Sequence, residues 1–280
     1  MSALPDLIIE PIVRLALAED LGRAGDVTSN AIIPAELRAA FIVRARAPGV
    51  IAGLDAAALT ARLVDPALAF TAKIEDGALV AARDVIATLS GPARAILTAE
   101  RTILNFIGRL SGIATLTRRY VDLVAGTNAR IVATRKTTPG LRALEKRAVL
   151  LGGGGAHRYG LDDAILIKDN HIAAAGGIAT SMSRAKAALG HLMRIEIEVD
   201  SLTQLEEAVR CGPDVILLDN FSIDDLARAV ARIGGRIPLE ASGGVRLDTV
   251  RAIAETGVDF ISVGALTHSA PALDVALDAA

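Results

Sequence analysis

The sequence predicts an α/β protein whose second half is a set of parallel strands. Three observations carry that expectation. From Ala129 onward, six short β-branched runs alternate with helical stretches. Each of those runs finishes in polar or glycine residues. The chain before Val124 has a different texture, with short strands set between turn signals and bordered by helices.

Taken in order, residues 5–18 carry Ile8, Ile12 and Leu15 at helical spacing and are expected to form a helix. Residues 21–30 are turn-rich. Runs at 40–44, 50–52, 67–74 and 85–90 alternate like strands, separated by Pro48-Gly49, Asp76-Gly77 and Gly91-Pro92. They predict a small sheet with one or two helices. Residues 93–124 are expected to be helical, with a break at Ser111-Gly112.

The later runs lie at 130–134, 164–167, 194–199, 215–218, 237–239 and 260–263. Helices are expected near 140–151, 172–189, 202–210, 223–233 and 247–255. Start signals accompany three of them: Pro139, Thr203 with Glu206, and Ser222 with Asp225. Strand–helix alternation at this spacing predicts parallel strands with right-handed crossovers, in a barrel or an open sheet.

Composition narrows the function. Of 280 residues, 52 % are apolar, enough for a real core, and 30 basic residues against 32 acidic give a net charge of −2. Such a balance argues against a nucleic-acid partner, which needs a dominant basic face. No apolar run approaches the roughly 18 residues of a membrane span, and residues 1–10 carry acids and no basic start, unlike a signal peptide. Cys211 is the single cysteine, so neither an intrachain disulfide nor a cysteine-rich metal site is expected. A cytoplasmic protein is the expectation. Only five of the 30 basic residues are lysines, at 73, 136, 146, 168 and 186, so a lysine at a strand end stands out.

The strand ends read Thr134-Arg135-Lys136, Lys168-Asp169-Asn170-His171, Glu198-Val199-Asp200, Asp219-Asn220, Glu240-Ala241-Ser242-Gly243-Gly244 and Gly264-Ala265. The C-terminal ends of barrel strands are where such folds place reacting groups, so six in succession suggest one site. In the 194–199 run, Glu196, Glu198 and Asp200 share one face by period-2 alternation. Buried acids need cations. Glu198 with Asp219 is suited either to a Mg²⁺-phosphate partner or to an internal ion-pair network with Arg135 or Lys168. Arg135, Lys136, His157, Arg158 and Lys168 fall within 34 residues and point to carboxylates or phosphates. Ser242-Gly243-Gly244 and Gly264, on the last two strands, suit a phosphate held by backbone N–H groups. Rossmann, P-loop and zinc-protease motifs are absent.

Several of these strings closely resemble the quinolinate phosphoribosyltransferase (nicotinate-nucleotide pyrophosphorylase) family. They are Thr134-Arg-Lys-Thr-Thr-Pro-Gly140, residues 153–158 and Leu166-Ile-Lys-Asp-Asn-His171, with Glu100-Arg-Thr-Ile-Leu-Asn105, Leu217-Leu-Asp-Asn220 and Ser262-Val-Gly-Ala-Leu-Thr-His268. The resemblance covers nearly the whole chain. It implies an N-terminal α/β sandwich over 1–110, joined by a C-terminal helix within 268–280, and an incomplete α/β barrel of mostly parallel strands over 111–267. It implies transfer of a phosphoribosyl group from phosphoribosyl pyrophosphate to quinolinate, giving nicotinate mononucleotide, pyrophosphate and carbon dioxide in NAD biosynthesis. By the same resemblance Arg101, from the partner of a homodimer, joins Arg135, His157, Arg158 and Lys168 on the quinolinate carboxylates. Lys136, Glu198 and Asp219 contact phosphoribosyl pyrophosphate and its Mg²⁺ and act catalytically, while Ser242, Gly243, Gly244 and Gly264 take the 5′-phosphate. Three rivals are a molybdenum-associated paralogue, which lacks the Lys-Asp-Asn-His string, a Schiff-base aldolase using Lys136 or Lys168, and a non-catalytic binder of phosphorylated metabolites.

Overall fold

The computed structural model describes residues 4–280; the first three residues of the acidic 1–10 stretch lie outside the described residues. In chain order the elements are α1 (Asp6–Leu21), α2 (Val27–Ile32), β1 (Arg38–Ala45), β2 (Gly49–Val50), α3 (Leu54–Val64), β3 (Ala69–Ala72), β4 (Leu79–Val80), β5 (Val85–Pro92) and α4 (Ala93–Leu123). Then come β6 (Arg130–Val132), α5 (Arg142–Leu151), β7 (Ile165–Ile167), α6 (Asp169–Ala175), α7 (Ile178–Ala188), β8 (Ile195–Val199), α8 (Leu202–Cys211) and β9 (Val215–Asp219). The last are α9 (Ile223–Ile233), β10 (Leu239–Ser242), α10 (Val250–Glu255), β11 (Phe260–Ser262), α11 (Ala265–His268) and β12 (Val275–Ala279). The chain divides into two compact units, one holding residues up to 118 with 137–153 and 267–280, the other 119–136 and 154–266.

The first unit is organised by a four-stranded sheet in the order β12-β1-β5-β3, every pairing antiparallel. Val43, Ile86 and Leu89 of the sheet are fully buried in one cluster with Ile96, Ile103 and Ile107 of α4. The spacing of those isoleucines puts them on one helix face, and burying each contributes about 1.5–3 kcal/mol relative to exposure.

Three expectations are corrected here. The turn-rich stretch contains α2, because Asp26 Oδ1 accepts the Ser29 N–H at 2.9 Å and starts a helix. α4 runs unbroken through Ser111-Gly112. Ser111 Oγ is turned to another segment, accepting from Ala52 N at 2.9 Å and donating to Ala52 O at 3.2 Å. Gly112 is glycine for closeness: a Cβ there would lie 2.0 Å from Pro271 O. The C-terminal segment joins this sheet as a strand, not a helix, with Phe41 opposite Ala279 and Ala45 opposite Val275.

The second unit is a six-stranded parallel sheet in the order β6-β11-β10-β9-β8-β7. That is barrel order left open: β6 and β7 are its edges, and on its side away from β11 Val132 makes an isolated bridge to Gly155. The run expected at 237–239 lies further on, at β10. Pro238 has no N–H to give, while its carbonyl accepts from Ile216 N and the Ser242 carbonyl accepts from Asn220 N. The single helix expected over 172–189 is two, since Gly176 (φ +91°) and Gly177 (φ +123°) interrupt it. α9 starts as expected, with Ser222 Oγ accepting from Asp225 N. α8 is capped by Ser201 rather than Thr203. Pro139 stands ahead of α5, whose Glu145 reaches back to accept from Thr138 N at 3.0 Å.

Candidate active site

At the C-terminal ends of the six parallel strands lies a cavity of about 560 Å³, formed wholly by the second unit. Each strand delivers its share by the pleat, which sends alternate residues to the same face. Past β6 come Thr134, Arg135 and Lys136; past β7 comes Lys168; β8 supplies Glu198, β9 Asp219 and then Asn220, β10 Glu240 and Ser242, and β11 Ser262. His157 and Arg158 enter from the segment after α5, and Gly243 and Gly244 follow β10.

Ten of the residues singled out in the sequence are therefore brought together: Arg135, Lys136, His157, Arg158, Lys168, Glu198, Asp219, Ser242, Gly243 and Gly244. Two are not. Gly264 follows β11 without lining the cavity, and Arg101 is exposed on α4 in the first unit. Asp200 lies beyond the end of β8 and is exposed, so two of the three acids predicted on one face belong to the barrel interior.

The cations differ in how they are held. Arg135 Nε is buried without a hydrogen bond, an orphan donor that a carboxylate or phosphate would satisfy. Arg158 Nη1 donates to Ala164 O at 3.1 Å, and burial followed by the charge of Arg135 pushes its guanidinium pKa down. Lys168 precedes α6, where its backbone N–H donates to His171 Nδ1 at 2.9 Å, so the last residue of Lys-Asp-Asn-His fixes the first. Its Nζ lies 3.2 Å from Glu198 Oε2. Burial is the main cause raising the Glu198 carboxyl, with Lys168 opposing. The ion-pair alternative of the sequence is thus present in this structure. It leaves the other open, since a carboxylate held up by burial is stabilised by any cation brought to it. Hard carboxylate oxygens from Glu198 and Asp219 fit Mg²⁺.

The turn after β9 is tightly specified. Asn220 takes φ +55°, donates its backbone N–H to Ser242 O and its Nδ2 to Asp219 Oδ2 at 2.7 Å. Gly243 has φ +96°, and a Cβ on it would stand 2.2 Å from Asn220 Oδ1.

Glu196 and Glu240 were given no separate role by the sequence. His157 Nε2 is 2.9 Å from Glu196 Oε2 and 3.7 Å from Glu240 Oε1. His157 Nδ1 accepts the Arg158 backbone N–H at 2.8 Å, which leaves Nε2 as the nitrogen carrying hydrogen. The signal for Glu240 was its position two residues before Ser242, on the same face of one strand.

Comparison with known proteins gives a consistent result. Residues 26–111 match the family described as quinolinate phosphoribosyl transferase, N-terminal domain, and residues 113–278 match its C-terminal domain. A nicotinate-nucleotide pyrophosphorylase [carboxylating] of Mycobacterium leprae (strain TN) is 46 % identical over 271 residues, covering 95 % of this chain and 95 % of that protein. A chloroplastic protein of the same name from Arabidopsis thaliana is 42 % identical over 291 residues, 98 % of this chain and 83 % of that one. The solved nicotinate-nucleotide pyrophosphorylase of Francisella tularensis superposes with a TM-score of 0.95 at 41 % identity, covering 99 % of this chain and 98 % of the other.

Proposed function

The chain belongs to the quinolinate phosphoribosyl transferase family, and on that premise we propose how its own residues carry the family's reaction. The enzyme converts quinolinate and phosphoribosyl pyrophosphate to nicotinate mononucleotide, pyrophosphate and carbon dioxide, a step of NAD biosynthesis. The observation that carries the assignment of residues is one cavity in which Arg135, Lys136, Arg158 and Lys168 meet Glu198, Asp219 and the Ser242-Gly243-Gly244 turn.

Arg135, Arg158 and Lys168 take the quinolinate carboxylates. His157 joins them where one of its bonds, to Glu196 or to the Arg158 N–H, yields. Lys136, Glu198 and Asp219 face the phosphoribosyl pyrophosphate, and Glu198 and Asp219 would hold its Mg²⁺, which supplies charge neutralisation to the departing pyrophosphate. Ser242, Gly243 and Gly244 receive the 5′-phosphate, while Gly264, which follows the neighbouring strand β11, does not line the cavity.

The chemistry runs with the charges. The C1–pyrophosphate bond breaks and positive charge develops at the ribose; Glu198 and Asp219 stabilise it from fixed positions. The pyridine nitrogen forms the new bond to C1 and becomes cationic. That adjacent positive charge stabilises the electron pair that stays on C2 when the neighbouring carboxylate leaves as carbon dioxide, until a proton arrives there. The guanidiniums position that carboxylate; gripping it more tightly than the transition state would oppose its loss.

The active unit is a homodimer in which Arg101 acts on the partner's quinolinate. Support comes from its exposed place on α4 in a segment matching the family string, since a two-fold interface makes such an exchange reciprocal. No helix among the described residues is long and apolar enough to cross a membrane, and we infer a cytoplasmic enzyme. The test is release of labelled carbon dioxide from quinolinate, which should require both phosphoribosyl pyrophosphate and Mg²⁺. A Schiff-base reading, in which Lys136 or Lys168 is trapped by borohydride with a keto substrate, predicts neither requirement.

A further inference from the structure

We propose that Glu240 is the acid that delivers a proton to C2 of the pyridine ring after carbon dioxide has left. The inference rests on the reaction proposed above, which ends with an electron pair on C2 and needs a proton there. The C2–carboxylate bond breaks, its electrons stay on C2, a C2–H bond forms with the Glu240 proton, and the carboxylate left behind regains a proton from solvent.

Geometry supports this choice. Glu240 is 3 % exposed, yet it lines the substrate cavity. Its Oε1 is buried without a hydrogen bond. It also lines a second cavity of about 250 Å³ at the other end of the strands, bordered by Ile165, Val215 and Phe260, the first or second residues of their runs. The same carboxyl thus borders the reaction space on one side and a second cavity on the other.

The other donors are less suited. The guanidiniums of Arg135 and Arg158 do not give up protons in the working range. Lys168 is taken up by a quinolinate carboxylate and by Glu198, 3.2 Å away. The His157 Nε2–H is given to a carboxylate, either that of Glu196 at 2.9 Å or one of the substrate's. The ligand atoms of His157, Glu196 and Glu240 lie within 4.8 Å of one another. A metal ion there would need Nε2 bare and the hydrogen on Nδ1, where the Arg158 N–H already donates, so the cluster is built for a proton.

The charged and polar groups facing Glu240 are Glu196 from β8, His157 and Arg158 from the segment after α5, Ser262 from β11, and Arg194 at the rim of the second cavity. Burial, then the charge of Glu196, pushes the Glu240 carboxyl up to about 7, against His157 and Ser262. An acid poised there keeps its proton through much of the neutral range and still releases it.

Single-turnover formation of nicotinate mononucleotide by the full chain tests the assignment. Wild type should slow by about tenfold per pH unit above roughly pH 7, the limb expected of an essential acid. Glu240→Gln should lose that limb, form product about 100-fold more slowly and bind quinolinate and phosphoribosyl pyrophosphate as wild type does; Glu240→Asp should recover part of the rate. A Glu240→Gln enzyme as fast as wild type overturns the proposal. So does a flat wild-type profile between roughly pH 6 and 9, which requires no variant and stays decisive should the variants fail to fold. A wild-type chain that releases no carbon dioxide overturns the reaction itself, an outcome distinct from either.

Discussion

Lys168 and Glu198, 3.2 Å apart, stand on either side of the division between the two proposed substrates. Glu198→Ala and Asp219→Ala should each slow turnover by about 100-fold, the usual loss of one preorganised electrostatic partner, while calorimetric quinolinate binding stays near normal; normal turnover in both removes the assigned role. Lys168→Ala should weaken quinolinate by roughly tenfold, about 1.4 kcal/mol, as expected for a hydrogen bond to a charged group on a side chain half open to solvent. Titrating each ligand separately checks it, and a selective loss for phosphoribosyl pyrophosphate reverses the assignment. Glu240 has a stability consequence too. Its folded pKa, about 7, lies above the ordinary 4.5, so its contribution to stability is full below about 4.5 and declines until the pH passes about 7. Glu240→Gln does not titrate; its melting temperature relative to wild type should rise across that window and level off above it. Much of this was legible at the residue scale, because Arg135, Lys136, Lys168, Glu198 and Asp219 stood at the ends of β-branched runs. Glu240 stood at such an end too, but a carboxyl there says nothing of its proton until Glu196 and His157 are seen beside it.

Elements were legible where local chemistry decides and misread where a distant segment does. Ser222 with Asp225 is such a local signal, and α9 begins there. Ser111-Gly112 breaks helices locally, yet the approach of Pro271 and the bonds to Ala52 make small and hydroxyl residues the right choice inside α4. Val275–Ala279 carries little strand signal of its own, and its partner β1 is far back in the sequence. Gly112→Ala forces a Cβ to within 2.0 Å of a backbone oxygen. It should lower stability by about 1–3 kcal/mol, the range for overpacking, read as a drop in the denaturant midpoint at unchanged slope. An unchanged midpoint would mean that the 271–272 segment moves aside freely.

The molecule as proposed acts through two copies, and mixing tests that. Chains carrying Arg101→Ala and chains carrying Lys136→Ala, each inactive alone, should regain activity on subunit exchange. One site of the mixed dimer is then doubly damaged and the other intact, giving up to about half of normal activity. Confirmed exchange without recovery shows that Arg101 does not act in trans. The division of the chain also bears on its biosynthesis. The sheet of the first unit takes β1, β3 and β5 from before the open barrel and β12 from after it. On a ribosome the barrel strands β6 to β11 therefore emerge while β1 still has one edge unpaired. That edge waits through the 145 residues between Leu123 and Ser269, roughly 7–30 s at ordinary elongation rates. Through that interval the growing polypeptide displays a sticky strand to its neighbours on the same messenger, and holding it apart from them is a task for chaperones rather than for the finished fold.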